Sequence, residues 1–298
     1  MIKLIASDLD GTLLNGEHKI SETTKAAIKR AKEQGIEFMV STGRNYSMTK
    51  DVMAEAGMRC AGIMSSGAEV WSEDGRLVRK TPLTAASLIG ITEMADKYPV
   101  AVRLFTREGD FMVGTYEEMV DSMIEDFKFF RKTDSTEEIQ SDPMFIRLLD
   151  NMQNVDSVET LIKNNTFVYK VFIFSSNLEV IEQLKKDLEH VDGIASAASS
   201  ESNIEVTDIR AQKGLVLKEI MEERGYTMDE VMVLGDSLND YSMISMDYGV
   251  TVAMGNAIDE LKAVAKYIAK TNVENGVADV IDRVLADDGS LEELRNNR

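Results

Sequence analysis

Short apolar segments with the composition of β-strands alternate with segments of helical periodicity at both ends of the chain. The first helix has Ser21 as its expected N-cap and Gly35 just past its last turn. Because helices joining parallel strands cover both faces of the sheet, the pattern predicts an α/β fold with one Rossmann-like parallel sheet built from both ends of the chain. The expected strands are 2–7, 36–40, 63–64, 231–234 and 250–253; the expected helices are 21–34, 46–56, 214–224, a helix after Asn239, 258–264 and 277–285.

The middle of the chain has a different pattern. Asp74-Gly75 and Glu108-Gly109-Asp110 each separate two short apolar segments, which is typical of antiparallel hairpins. Helices are expected at 117–130, 155–162 and 178–189, and strands at 167–174, 194–198 and 204–207. We therefore expect residues 83–208 to form an inserted α+β cap domain, and residues 1–82 with 209–298 to form the α/β core. The polar tail, 287–298, is expected to fray.

Charge and residue usage exclude several classes of function. The 298 residues carry 33 Lys and Arg against 52 Asp and Glu, and this net charge of −19 disfavours nucleic acids and anionic lipid surfaces as partners. The single cysteine, Cys60, cannot form an internal disulfide, and two histidines add too few ligands for a zinc site. There is no signal peptide pattern and no run of about 18 apolar residues. These features predict a cytoplasmic protein, and none of them indicates an oligomeric state.

The clearest chemical signal is Asp8-Leu9-Asp10-Gly11-Thr12, directly after the first expected strand. Residues two apart on an extended segment point the same way, so the Asp8 and Asp10 carboxylates are expected together beyond the end of a strand. Open α/β sheets bind ligands there, and paired carboxylates suit Mg²⁺. A calcium loop is excluded, because Leu13 and Lys19 stand where glycine and glutamate are needed. A solvated acidic turn is the alternative.

A second acidic group follows another apolar strand. Asp236 lies at the end of the strand that includes 231–234, and Asn239 and Asp240 are expected at the start of the next helix. Taken alone, such a loop most often caps a helix. Two carboxylate groups at strand ends of one sheet, however, favour a shared site.

Two further elements have the polarity needed to bind an anion. Thr42 and Gly43, in Ser41-Thr42-Gly43-Arg44, offer a hydroxyl and backbone N–H groups at the start of a helix. Lys213 begins the helix before the second acidic strand, where the helix dipole disfavours a cation. Each taken alone is a common structural feature, a helix cap or a surface lysine. Beside two acidic groups, they indicate binding of a phosphate.

These four elements, in this order, resemble the haloacid dehalogenase superfamily of phosphotransferases, and the inserted segment resembles the cap of its Cof-type phosphatase branch. Residues 252–257, 271–272 and 274–278 are also similar to segments of that branch. The resemblance implies Mg²⁺ as cofactor and a small phosphorylated metabolite as substrate, with sugar phosphates favoured. It also implies these roles: Asp8 as nucleophile, Asp10 as general acid and base, and Lys213 as organising cation; Thr42, Gly43, Lys213 and Asn239 as phosphate contacts; Asp8, Asp10, Asp236 and Asp240 as the metal site.

The resulting expectation is a magnesium-dependent phosphatase that forms an aspartyl phosphate. A phosphomutase of the same superfamily is one alternative, and a non-catalytic phosphoacceptor or binding module is another. Asp10 argues against the phosphoacceptor, which needs no acid for a leaving alkoxide, and so does the long inserted segment. Neither a dinucleotide glycine fingerprint nor a Walker A loop is present.

Overall fold

The computed structural model describes residues 1–286 and 289–296. The chain divides into two compact units, Met1–Thr81 with Arg210–Arg298 and Pro82–Ile209. In chain order the strands are β1 (Leu4–Ser7), β2 (Glu37–Ser41), β3 (Ala61–Met64), β4 (Glu69–Trp71), β5 (Leu77–Lys80), β6 (Ala101–Thr106), β7 (Asp110–Val113), β8 (Met152–Val155), β9 (Val168–Phe174), β10 (Ile194–Ala197), β11 (Asn203–Asp208), β12 (Val231–Gly235), β13 (Val250–Ala253) and β14 (Tyr267–Ile268).

The helices, also in chain order, are α1 (Glu22–Glu33), α2 (Tyr46–Glu55), α3 (Ala85–Ala95), α4 (Tyr116–Arg131), α5 (Thr136–Gln140), α6 (Pro143–Asn151), α7 (Val158–Lys163), α8 (Leu178–Leu188), α9 (Lys213–Glu223), α10 (Tyr241–Ile244), α11 (Asp259–Val264), α12 (Gly276–Leu285) and α13 (Ser290–Asn296). Among the described residues, no helix combines the length and the apolar character needed to cross a bilayer.

The first unit contains a sheet of strand order β14-β13-β12-β1-β2-β3-β4-β5, in which the strands from β14 to β3 are parallel. Strands from both ends of the chain meet at β1, where Leu4 pairs with Val231 on one side and with Glu37 on the other. All four residues of β1 are buried, as expected for a strand covered on both faces. The predicted α/β fold with a parallel sheet core is confirmed.

The boundaries of this unit follow local signals in most places. The Ser21 side chain accepts a hydrogen bond from the Thr24 N–H and so caps α1, and Gly35 takes a positive φ of 81° after the helix. The tail prediction was wrong for 290–296, because α13 forms there and buries Leu294. Residues 287, 288, 297 and 298 of the predicted tail lie outside the described residues.

The second unit is an α+β structure with the strand order β10-β11-β9-β6-β7-β8, antiparallel except for the β7–β8 pair. One apolar cluster joins the sheet to α3, α7 and α8, and a smaller one joins it to α4, α5 and α6. The prediction of a helix from 155 was wrong at its start, because Val155 ends β8 and α7 begins only at Val158. Helix α6 was not predicted, although Asp142 caps it and Pro143 occupies its first turn.

A buried polar group lies on the sheet of this second unit. Arg103 pairs with Asp126, and Lys170 lies 3.2 Å from Glu205. Asp110 is also buried, but no donor in the described part of the chain reaches its buried Oδ1. Burial raises the pKa of Asp110 to about 6, although the charges of Lys170 and Arg103 act in the opposite direction.

We therefore expect Asp110→Asn to change how stability depends on pH. The folded state favours the protonated carboxyl, so the stability from Asp110 is present below its unfolded pKa of about 4 and is lost as the pH rises through about 6. Near pH 8 the variant should be more stable than the parent by about 3 kcal/mol, and the difference should vanish by pH 4. Urea unfolding across this range measures the effect, with the exposed Asp121→Asn as control. A difference that did not vary with pH would contradict it.

Candidate active site

The residues singled out by sequence lie at one edge of the first unit's sheet. Asp8 directly follows β1, and its N–H donates to the Leu234 carbonyl of β12 at 3.0 Å. Thr42 follows β2, and Asp236 follows β12. Because β1 lies between β2 and β12 and all three strands are parallel, their carboxyl ends meet at the same edge.

Lys213 joins two of the carboxylates. Its Nζ lies 2.7 Å from Asp8 Oδ1 and 2.6 Å from Asp240 Oδ1, and the three side chains are almost wholly buried. Burial acts to lower the pKa of Lys213, but the charges of Asp240 and Asp8 outweigh it and raise the pKa above its usual range. The lysine is therefore a permanent cation inside the site.

Gly214 makes this placement of Lys213 possible. A Cβ on Gly214 would lie 1.9 Å from the Ser242 carbonyl oxygen, so only glycine lets the start of α9 approach α10 this closely. The neighbouring Tyr248 hydroxyl donates to the Gly214 carbonyl at 3.0 Å. The first turn of α9 is thus fixed against the element that follows Asp240.

Asp8, Asp236 and Asp240 form an acidic cluster, in which one oxygen from each lies within 4.8 Å of the others. Burial and the neighbouring Asp240 carboxylate raise the pKa of Asp8 well above its usual range and the pKa of Asp236 to about 7. One lysine therefore does not balance three carboxylates. A bound cation would supply the missing positive charge, and oxygen donors suit a hard divalent ion.

The three carboxylates differ in what they can offer a cation. Both oxygens of Asp240 are engaged, one with Lys213 and the other as acceptor of the Asp236 and Ser237 N–H groups at 2.9 and 3.3 Å. Asp8 and Asp236 each keep one oxygen that accepts no hydrogen bond from the described residues. The donor set therefore fits a metal ion held by Asp8 and Asp236, with Asp240 organising the loop.

The structure does not bring the Asp10 carboxylate into this cluster. Its oxygens accept from Arg44 Nε at 2.7 Å and Arg44 Nη2 at 2.5 Å, and the Asp10 side chain is 47% exposed. The expectation that Asp8 and Asp10 share a direction assumed an extended segment. The chain instead turns over Leu9–Leu13, with Gly11 at φ 76°.

Gly11 is required at that turn for two reasons. Its positive φ is unfavourable for other residues, and a Cβ there would lie 2.2 Å from Asp236 Oδ2. The next residue, Thr12, donates its hydroxyl proton to Asp236 Oδ1 at 3.1 Å. The loop after β1 therefore supports the second acidic residue as well as carrying Asp10.

The predicted phosphate contacts lie on both sides of Asp8. Thr42 is buried, and its hydroxyl oxygen accepts from the Arg44 N–H at 3.2 Å, with Gly43 between them. Asn239 is half-buried in the turn after β12, and its Oδ1 accepts from the Ser237 hydroxyl at 2.9 Å. Sequence reasoning missed Arg44 as a partner of Asp10, although Arg44 ends the segment that was singled out as an anion loop.

Comparisons with known proteins relate this chain to hydrolases and phosphatases. A family model described as haloacid dehalogenase-like hydrolase matches residues 5–281. The chain is 28% identical to the phosphatase YwpJ of Bacillus subtilis, over 95% of this chain and 100% of that protein. It is 31% identical to the B. subtilis 5-amino-6-(5-phospho-D-ribitylamino)uracil phosphatase YcsE, over 94% of each. A solved haloacid dehalogenase-like hydrolase from B. subtilis superposes with a TM-score of 0.79 at 28% identity, covering 94% of this chain and 99% of that one.

Proposed function

Because the chain belongs to the haloacid dehalogenase-like hydrolases, as a Cof-type phosphoric monoester hydrolase, we propose that it hydrolyses a small phosphorylated metabolite with Mg²⁺ as cofactor. Sugar phosphates are the favoured class. The observation that carries the proposal is the buried Asp8 carboxylate at the end of β1, held 2.7 Å from Lys213. The name of YcsE specifies a small phosphorylated metabolite as that relative's substrate, which supports the same class here.

The proposed reaction has two steps, both at phosphorus. Asp8 attacks in line, so that a bond forms between its carboxylate oxygen and phosphorus while the bond to the leaving oxygen breaks. Asp10 gives a proton to that oxygen, and the alcohol leaves. Asp10 then takes a proton from a water molecule that attacks the phosphorus of the aspartyl phosphate, which releases inorganic phosphate and restores Asp8.

The other polar groups hold the phosphoryl group and balance its charge. Lys213 is fixed against Asp8 by the contacts described above, so it need not move as charge develops. We assign Thr42, Gly43 and Asn239 to the phosphoryl oxygens, on either side of the attacking carboxylate. Arg44 holds the Asp10 carboxylate at the edge of this group, from which the carboxyl must turn to reach a leaving oxygen.

We assign the metal to Asp8 and Asp236, whose free oxygens and raised pKa values fit a cation, with Asp240 supporting them. The resemblance also gives Asp10 to the metal site, although its carboxylate is paired with Arg44 in this structure. When bound, Mg²⁺ lowers the repulsion between a carboxylate nucleophile and a phosphate dianion.

The experiment that tests the function is a phosphate-release assay with the full chain and Mg²⁺. The panel contains sugar phosphates, other phosphorylated metabolites and an activated aryl phosphate. We expect free phosphate to be released from single substrates, which a phosphomutase would not do. If the folded protein released phosphate from none of them, the aryl phosphate included, the proposal would fail.

We also propose that the second unit, Pro82–Ile209, is the inserted cap domain expected from the resemblance. We assign to it the selection of the leaving group. A domain of this kind can exclude water and read the substrate while the chemistry stays in the other unit. Arg103 forms a buried ion pair with Asp126, so we assign it a structural role and not a substrate contact. In the panel, Arg107→Ala and Arg147→Ala are expected to reorder the metabolites and to affect the aryl phosphate much less.

Metal binding can be measured apart from activity, through stability. Mg²⁺ at a hundred times its dissociation constant should add about 2.7 kcal/mol to the free energy of unfolding. Asp236→Asn should abolish this gain and should itself stabilise the metal-free protein, because it removes a buried carboxylate whose pKa is raised. In the parent, Ca²⁺ should bind but inhibit, since its larger and looser oxygen shell misplaces the nucleophile.

Melting curves with and without Mg²⁺ provide the measurement. Asp229→Asn is the matched control, since it makes the same charge change at an exposed carboxyl just before the opposite end of β12. An Asp236→Asn protein that Mg²⁺ stabilised as strongly as the control would remove Asp236 from the metal site.

A further inference from the structure

Two asparagines outside the reaction described above contact the loop that carries Asp10. Asn256 Nδ2 donates to the Gly11 carbonyl at 2.8 Å, and its Oδ1 accepts from the Asn272 N–H at 2.9 Å. Asn272 Nδ2 in turn donates to the Leu14 carbonyl at 2.7 Å. The pair therefore holds this loop by two backbone carbonyls, that of Gly11 within the turn and that of Leu14 just after it.

Other contacts also hold this loop: Arg44 binds the Asp10 carboxylate, Thr12 binds Asp236, and the Leu14 N–H donates to the Leu9 carbonyl at 2.8 Å. The Asn256 contact differs from these because it reaches the backbone immediately after Asp10. Leu9 and Leu13 are buried, but the Asp10 side chain between them is 47% exposed. The backbone at Asp10 is extended, with ψ 124°, and Gly11 is left-handed, so the helical geometry of the loop is interrupted at this point. The Gly11 carbonyl belongs to the residue that immediately follows Asp10, so a contact there acts on the backbone from which the Asp10 side chain projects.

The segment that carries Asn256 also touches the second acidic loop. The Ile258 N–H donates to the Asp236 carbonyl at 3.0 Å, and the Met254 N–H donates to the Gly235 carbonyl at 3.0 Å. One short segment thus contacts the backbones of both loops. It lies 245 residues from Gly11 in the sequence, so its effect on the loop is a property of the folded unit.

Asn256 is exposed, so its loss should affect the position of Asp10 more than the stability of the folded protein. An exposed hydrogen bond to a backbone carbonyl contributes about 1 kcal/mol or less to folding, because water replaces it readily. A small displacement of a catalytic group, by contrast, can lower the rate by about 10²-fold. The consequence of losing this contact should therefore appear in the chemistry before it appears in stability.

From these contacts we propose that Asn256 and Asn272 are positioning residues for Asp10, setting the place from which it protonates the leaving oxygen. The proposal rests on the proposed phosphatase function. It assigns to residues 252–257 and 271–272, which sequence analysis singled out without a role, a task in the first chemical step.

The test compares two leaving groups. A sugar or other alkyl phosphate needs a proton on its leaving oxygen, whereas 2,4-dinitrophenyl phosphate does not, and kcat/KM reports the steps up to departure of the leaving group. For Asn256→Ala and Asn272→Ala we expect kcat/KM for the alkyl phosphate to fall by about 10- to 100-fold. The value for the dinitrophenyl ester should stay within about threefold, since it does not depend on general acid catalysis.

Two further variants separate the roles of size and donor. Asn256→Asp keeps the size of the side chain and can accept from Asn272, but it cannot donate to the Gly11 carbonyl, so it should behave as Asn256→Ala does. Lys32→Met is the control, because the exposed Lys32 side chain also donates to a backbone carbonyl of the first unit, that of Arg59 at 2.9 Å, just before the amino end of β3. It should leave the ratio of the two kcat/KM values unchanged.

Each outcome decides the proposal. A selective loss with the alkyl phosphate supports it. An equal loss with both substrates, no loss, or full activity in Asn256→Asp overturns it, and so does a drop in melting temperature that accounts for the lost activity. If the parent protein turned over neither substrate, the phosphatase function would fail instead, so the two failures are distinguishable.

Discussion

Asp8→Asn is expected to lower phosphate release by about 10⁴-fold or more, the scale of losing a covalent nucleophile. The amide keeps the size of the side chain, and its oxygen can still accept from Lys213. Folding should be unharmed or improved, because the change removes one of the carboxylates whose pKa is raised by burial and by the Asp240 charge. Initial rates and melting curves on the same preparation measure both effects.

Two further measurements test the same mechanism. Asp8→Glu keeps the charge but adds a methylene, so it should also be inactive if in-line geometry matters. The parent protein with Mg²⁺ should be inhibited by beryllium fluoride, which imitates a phosphoryl group on the carboxylate. Near-parental turnover by Asp8→Asn would rule out the covalent mechanism.

Lys213→Met is expected to have the largest effect on stability. It leaves Asp8 and Asp240 buried without their shared cation, and removing one partner of a buried charged pair lowers the free energy of unfolding by about 3–5 kcal/mol. Turnover should be lost as well, because the attacking carboxylate loses its fixed positive neighbour. Urea unfolding and phosphate release measure the two losses separately.

Helix α9 offers a matched control for this change. Lys218 makes an exposed pair with Glu222 at 3.7 Å, so Lys218→Met should change stability by less than about 1 kcal/mol. The double variant Lys213→Met with Asp240→Asn should regain part of the stability, since it removes one unpaired charge, but none of the activity. Equal stability of Lys213→Met and Lys218→Met would show that the buried cation is not needed for folding.

Much of this architecture could be predicted because its signals are local. Parallel strands covered on both faces are continuously apolar, so the strands that follow Lys3, Ile36 and Glu230 stand out in the sequence. Caps such as Ser21 act within one turn and are equally visible. The fold class and the family follow from such signals. Helix α6 was missed although its Asp142-Pro143 start is also a local signal.

The direction of individual side chains could not be predicted in the same way. The Asp10 carboxyl pairs with Arg44, which lies 34 positions later, and Gly11 beside it lies against Asp236, more than 200 positions later. The end of β8 at Val155 was mistaken for the start of α7 for a similar reason. Residues 152–155 form a strand because β7 pairs with them. Four residues alone contain no pattern that predicts this pairing.

The central place of β1 also constrains how the protein can be made. During synthesis β2 becomes available soon after β1, but β12 begins 224 residues after the end of β1 and emerges much later. Until then one edge of β1 has no native partner, and such an edge can pair with other chains. Lys213, Asp236 and Asp240 arrive in the same late portion. A growing chain on the ribosome therefore holds an incomplete acidic site, and a truncated product ending before β12 should aggregate instead of acting as a phosphatase.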